Sequence, residues 1–299
     1  MIKIMPELPE VETIKNDLKE KILDKKIIKI TCRKRKIVKN NFNFFLNTLI
    51  GNKFSNIKRI GKLLIFEINR ENLYLLIHLK MTGQLVYCPS RGIVAGGHSY
   101  PEQKNTVESA AEAMCLPNKY SHVIFNFADG SNLFFNDMRQ FGYFKTVRKD
   151  ELEIIKKNFG IEPLASNFKL NNFKRIFIKR KAPVKALLLN QKLIAGIGNI
   201  YADEILFSAK IKPDRRADSL TGGDMEKIFK AGKLIIKKAI KHRGTTFNNY
   251  IDASGRKGNY SRLLKVYKRE GEQCLICKNI IKKIKVAGRG TRYCPKCQK

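Results

Sequence analysis

Apolar residues fall at Val11, Ile14, Leu18 and Ile22, a spacing of three and four that predicts a helix over residues 7–22. Carboxylates lead this segment and lysines follow, in the order a helix dipole favours. From residue 25 to residue 38 β-branched residues alternate with Lys and Arg, which predicts a strand with one wet face. Further strands are expected over 63–68, 73–79, 123–127, 133–135 and 143–147. Short strands between turn signals such as Asp129-Gly130 suit an antiparallel sandwich or barrel. Past Val147 the period turns helical, with helices expected over 151–158, 167–178, 184–189, 200–207 and 225–242. Gly160, Pro163, Pro183, Gly196 and Pro213 punctuate them. A β-rich half therefore gives way to an α-rich half near residues 148–152, and the chain reads as α+β.

Two stretches break this pattern. Residues 90–118 contain Gly92-Ile93-Val94-Ala95-Gly96-Gly97-His98 and Glu108-Ser109-Ala110-Ala111-Glu112-Ala113, and Lys104 is their one lysine. They read as an inserted surface loop between two strands, with Cys115 and His98 incidental. Residues 252–265 combine Ser254, Gly255, Gly258 and Ser261 with Arg256, Lys257, Arg262 and Lys265, the composition of a flexible basic connector.

Charge narrows the function. Sixty Lys and Arg against 26 Asp and Glu give a net +34 over 299 residues, a field that attracts a polyanion. Nucleic acid is the leading partner and an anionic membrane surface the rival. No run of 18 apolar residues occurs and the start lacks a signal peptide's apolar core. Seven cysteines, four of them in two tight pairs, suit metal binding in a reducing cytoplasm better than disulfides.

Three motifs carry candidate chemistry. Met5-Pro6-Glu7-Leu8-Pro9-Glu10-Val11-Glu12 is a proline-led, acid-rich helix start. A chain beginning at Pro6 would also offer a secondary amine beside a carboxylate, the equipment for Schiff-base chemistry on a sugar carbon. Cys274-Leu275-Ile276-Cys277 and Cys294-Pro295-Lys296-Cys297 each aim two thiolates at one point, and residues 278–293 between them leave room for a hairpin. Four thiolates close a tetrahedral zinc site with no open position, so the metal is structural. Lys282, Lys283, Lys285, Arg289 and Arg292 stud the hairpin and make it a candidate phosphate or groove probe. Ala195-Gly196-Ile197-Gly198-Asn199, ahead of an apolar helix, either cradles a phosphate on its N–H groups or simply connects two helices.

Several separated stretches then agree. The segment from Pro6 to Glu12 resembles the N-terminus of the formamidopyrimidine-DNA glycosylases. Arg59-Ile60-Gly61-Lys62, His78-Leu79-Lys80-Met81-Thr82-Gly83 and Asp137-Met138-Arg139-Gln140-Phe141-Gly142 resemble three further motifs of that family. So do Gly160-Ile161-Glu162-Pro163-Leu164, Gly198-Asn199-Ile200-Tyr201-Ala202-Asp203-Glu204, the run from Tyr250-Ile251-Asp252 to Gly258, and the four-cysteine finger. The resemblance spans nearly the whole chain, apart from the residues before Pro6 and the 90–118 insert. It implies an antiparallel β-sandwich with a leading helix over 6–148, a helical helix–two-turn–helix domain over 149–258, and a zinc-finger hairpin over 259–299.

It also implies a bifunctional base-excision repair enzyme for 8-oxoguanine and formamidopyrimidines, which cleaves the abasic strand by β,δ-elimination. Pro6 would be the nucleophile at C1′ and Glu7 the proton donor to the sugar ring oxygen. Lys62 and Arg289 would serve at the site, and Met81, Arg139 and Phe141 would fill the space left by the extruded base. Lys185 and Asn199 would hold phosphate, and Cys274, Cys277, Cys294 and Cys297 one structural zinc. The implied partner is double-stranded DNA with oxidised purine or abasic sites, bound by a monomer without a membrane. His78 reads as a satisfied sheet histidine rather than a catalyst.

The match departs at Lys80, where the family motif has glycine, at Met138 for proline, at Gln140 for arginine and at Asn190 for aspartate. Residues 1–5 precede Pro6, whose nitrogen would then be a tertiary amide unable to attack. Translation is therefore expected to start at Met5, with that Met removed. Three rivals stand beside the main reading: an endonuclease VIII-like enzyme for oxidised pyrimidines, a non-catalytic damage binder if the extension is retained, and, more distantly, a zinc-dependent RNA-binding protein.

Overall fold

A computed structural model describes residues 5–90, 116–245 and 258–299. The 90–118 insert with Cys115 and His98, the run from Tyr250 to Lys257, and residues 1–4 therefore lie wholly or largely outside the described residues. The described chain forms two compact units. One contains residues 10–154 with short pieces at 5–6, 245 and 258; the other contains 7–9, 155–244 and 259–299.

The first unit is a β-sandwich. Helix α1 (Leu8–Ile22) leads into β1 (Ile27–Cys32), α2 (Phe42–Leu49), β2 (Phe54–Ile60), β3 (Leu63–Ile68), β4 (Leu73–His78) and β5 (Gly83–Cys88). Strands β6 (Ser121–Phe127), β7 (Asn132–Asp137) and β8 (Tyr143–Arg148) complete it. Two four-stranded sheets result, in the orders β1-β6-β7-β5 and β2-β3-β4-β8, and every paired strand is antiparallel. Alternation puts Phe125 and Phe135 of one sheet against Phe144 of the other, with ring centroids 6.0 and 4.8 Å apart. Val11, Ile14, Leu18 and Ile22 of α1 join this core, as their spacing requires. The Asp129-Gly130 turn closes β6–β7: Gly130 takes φ 82° and the Asp129 carboxylate accepts from Ser131 N at 3.0 Å.

The strand expected over 25–38 is shorter. It stops at Cys32, and Arg35–Ile37 form a 3-10 turn. Arg33, Lys34, Arg35 and Lys36 are all exposed, which an alternating strand cannot achieve; the turn frees them to solvent and drops Ile37 and Val38 into the core. Helix α2 and strands β2 and β5 were not expected from the sequence.

In the second unit the helices are α4 (Leu170–Phe177), α5 (Val184–Leu189), α6 (Asn199–Ser208) and α7 (Gly222–Lys241); α3 (Lys149–Lys156) spans the boundary between the units. Helix α6 is buried from Ile200 to Phe207. Thr221 and Asp224 form a reciprocal capping box at the start of α7. Phe168 stacks on Phe229 at 4.9 Å, and Phe173 packs beside it at 5.6 Å. At the end of the chain β9 (Lys282–Val286) and β10 (Arg289–Tyr293) make a hairpin whose turn residues, Ala287 and Gly288, have φ of 48° and 73°. Among the connector residues that are described, Tyr260–Leu263 form a 3-10 turn that buries Tyr260. No helix among the described residues is long and apolar enough to cross a membrane.

Candidate active site and nucleic-acid interface

Glu7 is buried in the second unit. Its carboxylate accepts from Gly198 N at 2.7 Å, Ile200 N at 2.9 Å and Tyr201 N at 3.4 Å, at the start of α6. A helix N-terminus favours an anion, and here the anion is a side chain. Glycine leaves room for this seat, because a Cβ at Gly198 would lie 2.3 Å from Glu7 Cδ and force the carboxylate to shift. Gln191 shapes the same turn, donating to Leu189 O and Ile197 O and accepting from Gly196 N. Of the two readings of this turn, the phosphate cradle is thus corrected: the N–H groups of Gly198, Ile200 and Tyr201 hold Glu7. Pro6, next in the chain, is buried.

Asn199 and Lys185 are turned inward. Asn199 Nδ2 donates to Gly290 O at 3.0 Å. Lys185 is fully buried, with Nζ 2.6 Å from Asp203 Oδ1 and donating to Thr291 Oγ1 at 2.7 Å. Burial pushes the Asp203 carboxyl up to about 6 and draws the Lys185 ammonium down, while their pairing opposes both shifts. Lys185, expected to hold phosphate, is thus engaged inside the fold by Asp203 and Thr291. Asn190 keeps the turn bond an aspartate could make, accepting from Lys192 N at 3.0 Å.

The finger separates its cations. Lys282, Lys283, Lys285 and Arg289 are exposed, Arg289 at the end of the tight turn. Arg292 is not part of that surface. It is 6% exposed, its guanidinium donates to both Glu270 oxygens at 3.1 and 3.0 Å, and it lies over the Tyr267 ring at 4.9 Å. Buried Glu204 accepts from the N–H groups of Lys265, Val266 and Tyr267, each at 2.9 Å, and ties this segment to α6.

The sulfur atoms of Cys274, Cys277, Cys294 and Cys297 all lie within 4.8 Å of one another, with closest pairs at 3.4 and 3.9 Å. Zinc–sulfur bonds of about 2.3 Å in a tetrahedron put sulfurs ~3.8 Å apart, so the cluster fits one structural zinc ion. Backbone N–H groups of Ile276 and Cys297 point at Cys274 Sγ and Cys294 Sγ, as metal-holding knuckles require.

Within the first unit, Lys62 sits in the turn between β2 and β3 and is 4% exposed. Arg59 holds that turn, donating to Gly61 O and to Glu12 Oε2, each at 2.8 Å. Burial, then the Lys80 and Lys62 charges, hold the His78 imidazole down at about 3, so it is neutral. Its Nδ1 accepts from Lys80 N at 3.0 Å and steadies a residue at φ 51°, a conformation that suits glycine. The structural reading of His78 stands.

Met81, Arg139 and Phe141 come together on two loops. Buried Asp137 joins them: its carboxylate accepts from Thr82 Oγ1, from Arg139 N at 3.2 Å and from Gly142 N at 2.7 Å. Arg139 N also approaches Thr82 Oγ1 at 3.0 Å. Above this base Arg139 Nη1 lies 3.0 Å from Met81 Sδ, and its guanidinium lies 4.5 Å from the Phe141 ring centre. Phe141 is 52% exposed, a costly place for an aromatic ring unless something covers it in use. Gln140 stands beside it at φ 56°. The organising roles of Asp137, Thr82, Gln191 and Asp203 were not read from the sequence.

Residues 5–144 match a family described as the formamidopyrimidine-DNA glycosylase N-terminal domain, residues 159–250 the formamidopyrimidine-DNA glycosylase H2TH domain, and residues 271–299 a zinc finger found in FPG and IleRS. A formamidopyrimidine-DNA glycosylase of Pelotomaculum thermopropionicum is 39% identical over 298 residues, covering 99% of each chain. Lactococcus lactis Fpg bound to an abasic site containing DNA aligns with a TM-score of 0.84 at 34% identity, over 98% of this chain and 99% of that one. The same protein bound to an oxidised pyrimidine containing DNA gives 0.83 at 34%, over 98% and 100%.

Proposed function

This chain belongs to the formamidopyrimidine-DNA glycosylase family, and from that premise we propose how its residues divide the work of excising formamidopyrimidines and oxidised purines and cutting at abasic sites. Pro6, as the N-terminal residue, attacks C1′ while the bond to the damaged base breaks. Glu7 protonates the sugar ring oxygen, and the open-chain Schiff base forms on the proline nitrogen. Loss of a C2′ proton expels the 3′ phosphate, and a second elimination expels the 5′ phosphate, leaving a one-nucleotide gap. Lys62 and Arg289 bear on the phosphates flanking the lesion. Met81 and Phe141 occupy the stack vacated by the extruded base, and Arg139 donates to the orphan cytosine. Lys185, paired with Asp203, and Asn199, bonded to Gly290 O, support the phosphate-binding surface from beneath. The four-cysteine finger holds one structural zinc.

The observation that carries this reading is the seat of Glu7. Three backbone donors fix the carboxylate, and the residue bonded to it is the candidate nucleophile. The family match beginning at residue 5 supports a working chain that begins at Pro6. Four thiols gathered at one point suit a metal in a reducing compartment, which supports work in the cytoplasm.

Borohydride trapping with an 8-oxoguanine·cytosine duplex tests the reading, followed by mass mapping of the cross-linked peptide. We expect an adduct on a peptide that begins at Pro6. No adduct, from protein that begins at Pro6 and binds the duplex, leaves a damage-binding protein. Active protein that begins at Met1 removes Pro6 as nucleophile. An oxidised pyrimidine is the second substrate to try, because the Lactococcus lactis relative has been captured with such DNA.

A further inference from the structure

Strand β10 has one open edge. Its register with β9 pairs Arg289 with Val286, Thr291 with Ile284 and Tyr293 with Lys282. Antiparallel ladders alternate, so after a two-residue turn the main-chain groups of Gly290 and Arg292 face away from β9. Both are met by one helix. Asn199 Nδ2 donates to Gly290 O at 3.0 Å, and Asp203 Oδ2 accepts from Arg292 N at 3.0 Å. Four residues of helix rise about 6 Å; two residues of strand rise about 6.7 Å. Asn199 and Asp203, one turn apart on α6, therefore match the repeat of the strand edge and act as its missing neighbour.

A second route leads from Asp203 to the same strand. Its Oδ1 meets Lys185 Nζ at 2.6 Å, Lys185 donates to Thr291 Oγ1 at 2.7 Å, and Thr291 Oγ1 donates to Arg289 O at 3.0 Å. Lys185, Asp203 and Thr291 are all fully buried. Against an apolar replacement a buried ion pair adds little stability, so orientation is the better account of its presence.

We propose that Asp203, which takes part in no catalytic step, is a positioning residue that fixes where Arg289 stands by closing the edge of β10. This rests on the role given above to Arg289. The same α6 N-terminus seats Glu7, so one helix end sets both groups.

The test uses the full, zinc-loaded chain with Asp203→Asn and, as a milder change, Thr291→Val. Amide exchange reads the clamp itself. We expect the Arg292 amide to exchange about tenfold faster in Asp203→Asn, with the Thr291 amide, which faces β9, unchanged. Unchanged exchange at Arg292 overturns the clamp. Single-turnover cleavage of an abasic duplex reads its consequence. Asp203→Asn should lower the rate about tenfold with little change in Kd, Thr291→Val by less, and neither should cost more once Arg289→Ala is present. Equal losses with and without Arg289 overturn positioning and leave a structural acid. An Arg289→Ala enzyme as active as the parent instead overturns the role of Arg289 itself, and exchange alone then decides the clamp.

Discussion

Single atoms decide the chemistry at Gly198. A methyl group there would lie 2.5 Å from Glu7 Oε1, so Gly198→Ala must push the carboxylate off its three donors. We expect a loss of about a hundredfold or more in single-turnover strand cleavage, the usual worth of a positioned acid, with duplex affinity kept. His78 sets a pH dependence. Its folded pKa, about 3, lies below the ordinary 6.5, so between these values the unfolded chain binds the extra proton. The neutral imidazole therefore costs nothing at pH 7, and stability falls as pH drops below about 6.5 and on towards 3. Urea melts should show His78→Asn losing less stability between pH 7 and pH 4.5 than the parent. His78 as a satisfied sheet residue was legible in the sequence. The seat of Glu7 was not, because its donors lie 191 to 194 residues away. Nor was the burial of Lys185 and Arg292, since these residue types are rarely enclosed and nothing local marks the exception.

At the scale of elements, the cluster of Met81, Arg139 and Phe141 depends on two loops sharing one carboxylate. Asp137→Asn can satisfy only part of the demand from Thr82, Arg139 and Gly142. Loss of charge-assisted bonds should lower stability by about 2–3 kcal/mol. KM for a lesion duplex should rise as Arg139 and Phe141 lose their base; melts and steady-state kinetics together check both effects. Periodicity showed most elements because most have one dry face. It missed α2, whose Asn, Phe and Thr residues are weak helix formers, although Asn41 caps it by accepting from Phe44 N. It missed β2, where Phe54 and Ile57 are the buried residues and fall three apart, out of step with strand alternation. It ran β1 too far because Lys and Arg mark a wet strand face and an exposed turn alike. The zinc knuckles, by contrast, were legible at once, since Cys-x-x-Cys spacing is local geometry.

For the whole molecule, charge and metal act on different parts. The +34 balance draws in a polyanion wherever it lies, whereas the exposed cations of the finger hairpin need the four cysteines gathered to be presented at all. Stripping zinc with a strong chelator should abolish strand cleavage and lower protection of residues 271–299 in hydrogen exchange. The sandwich, which contributes none of the four thiols, should keep its protection; zinc added back to the folded remainder should restore cleavage. The carboxylate seat carries a last consequence, in time rather than in space. Residues 7–9 group with the second unit although they are made first. At roughly 5–20 residues per second the ribosome needs on the order of 10–40 s to reach the glycine that receives Glu7. The sandwich can fold in that interval, but on the proposed role of Glu7 the newborn chain has no seated acid until that glycine emerges, two thirds of the way through the 299 residues.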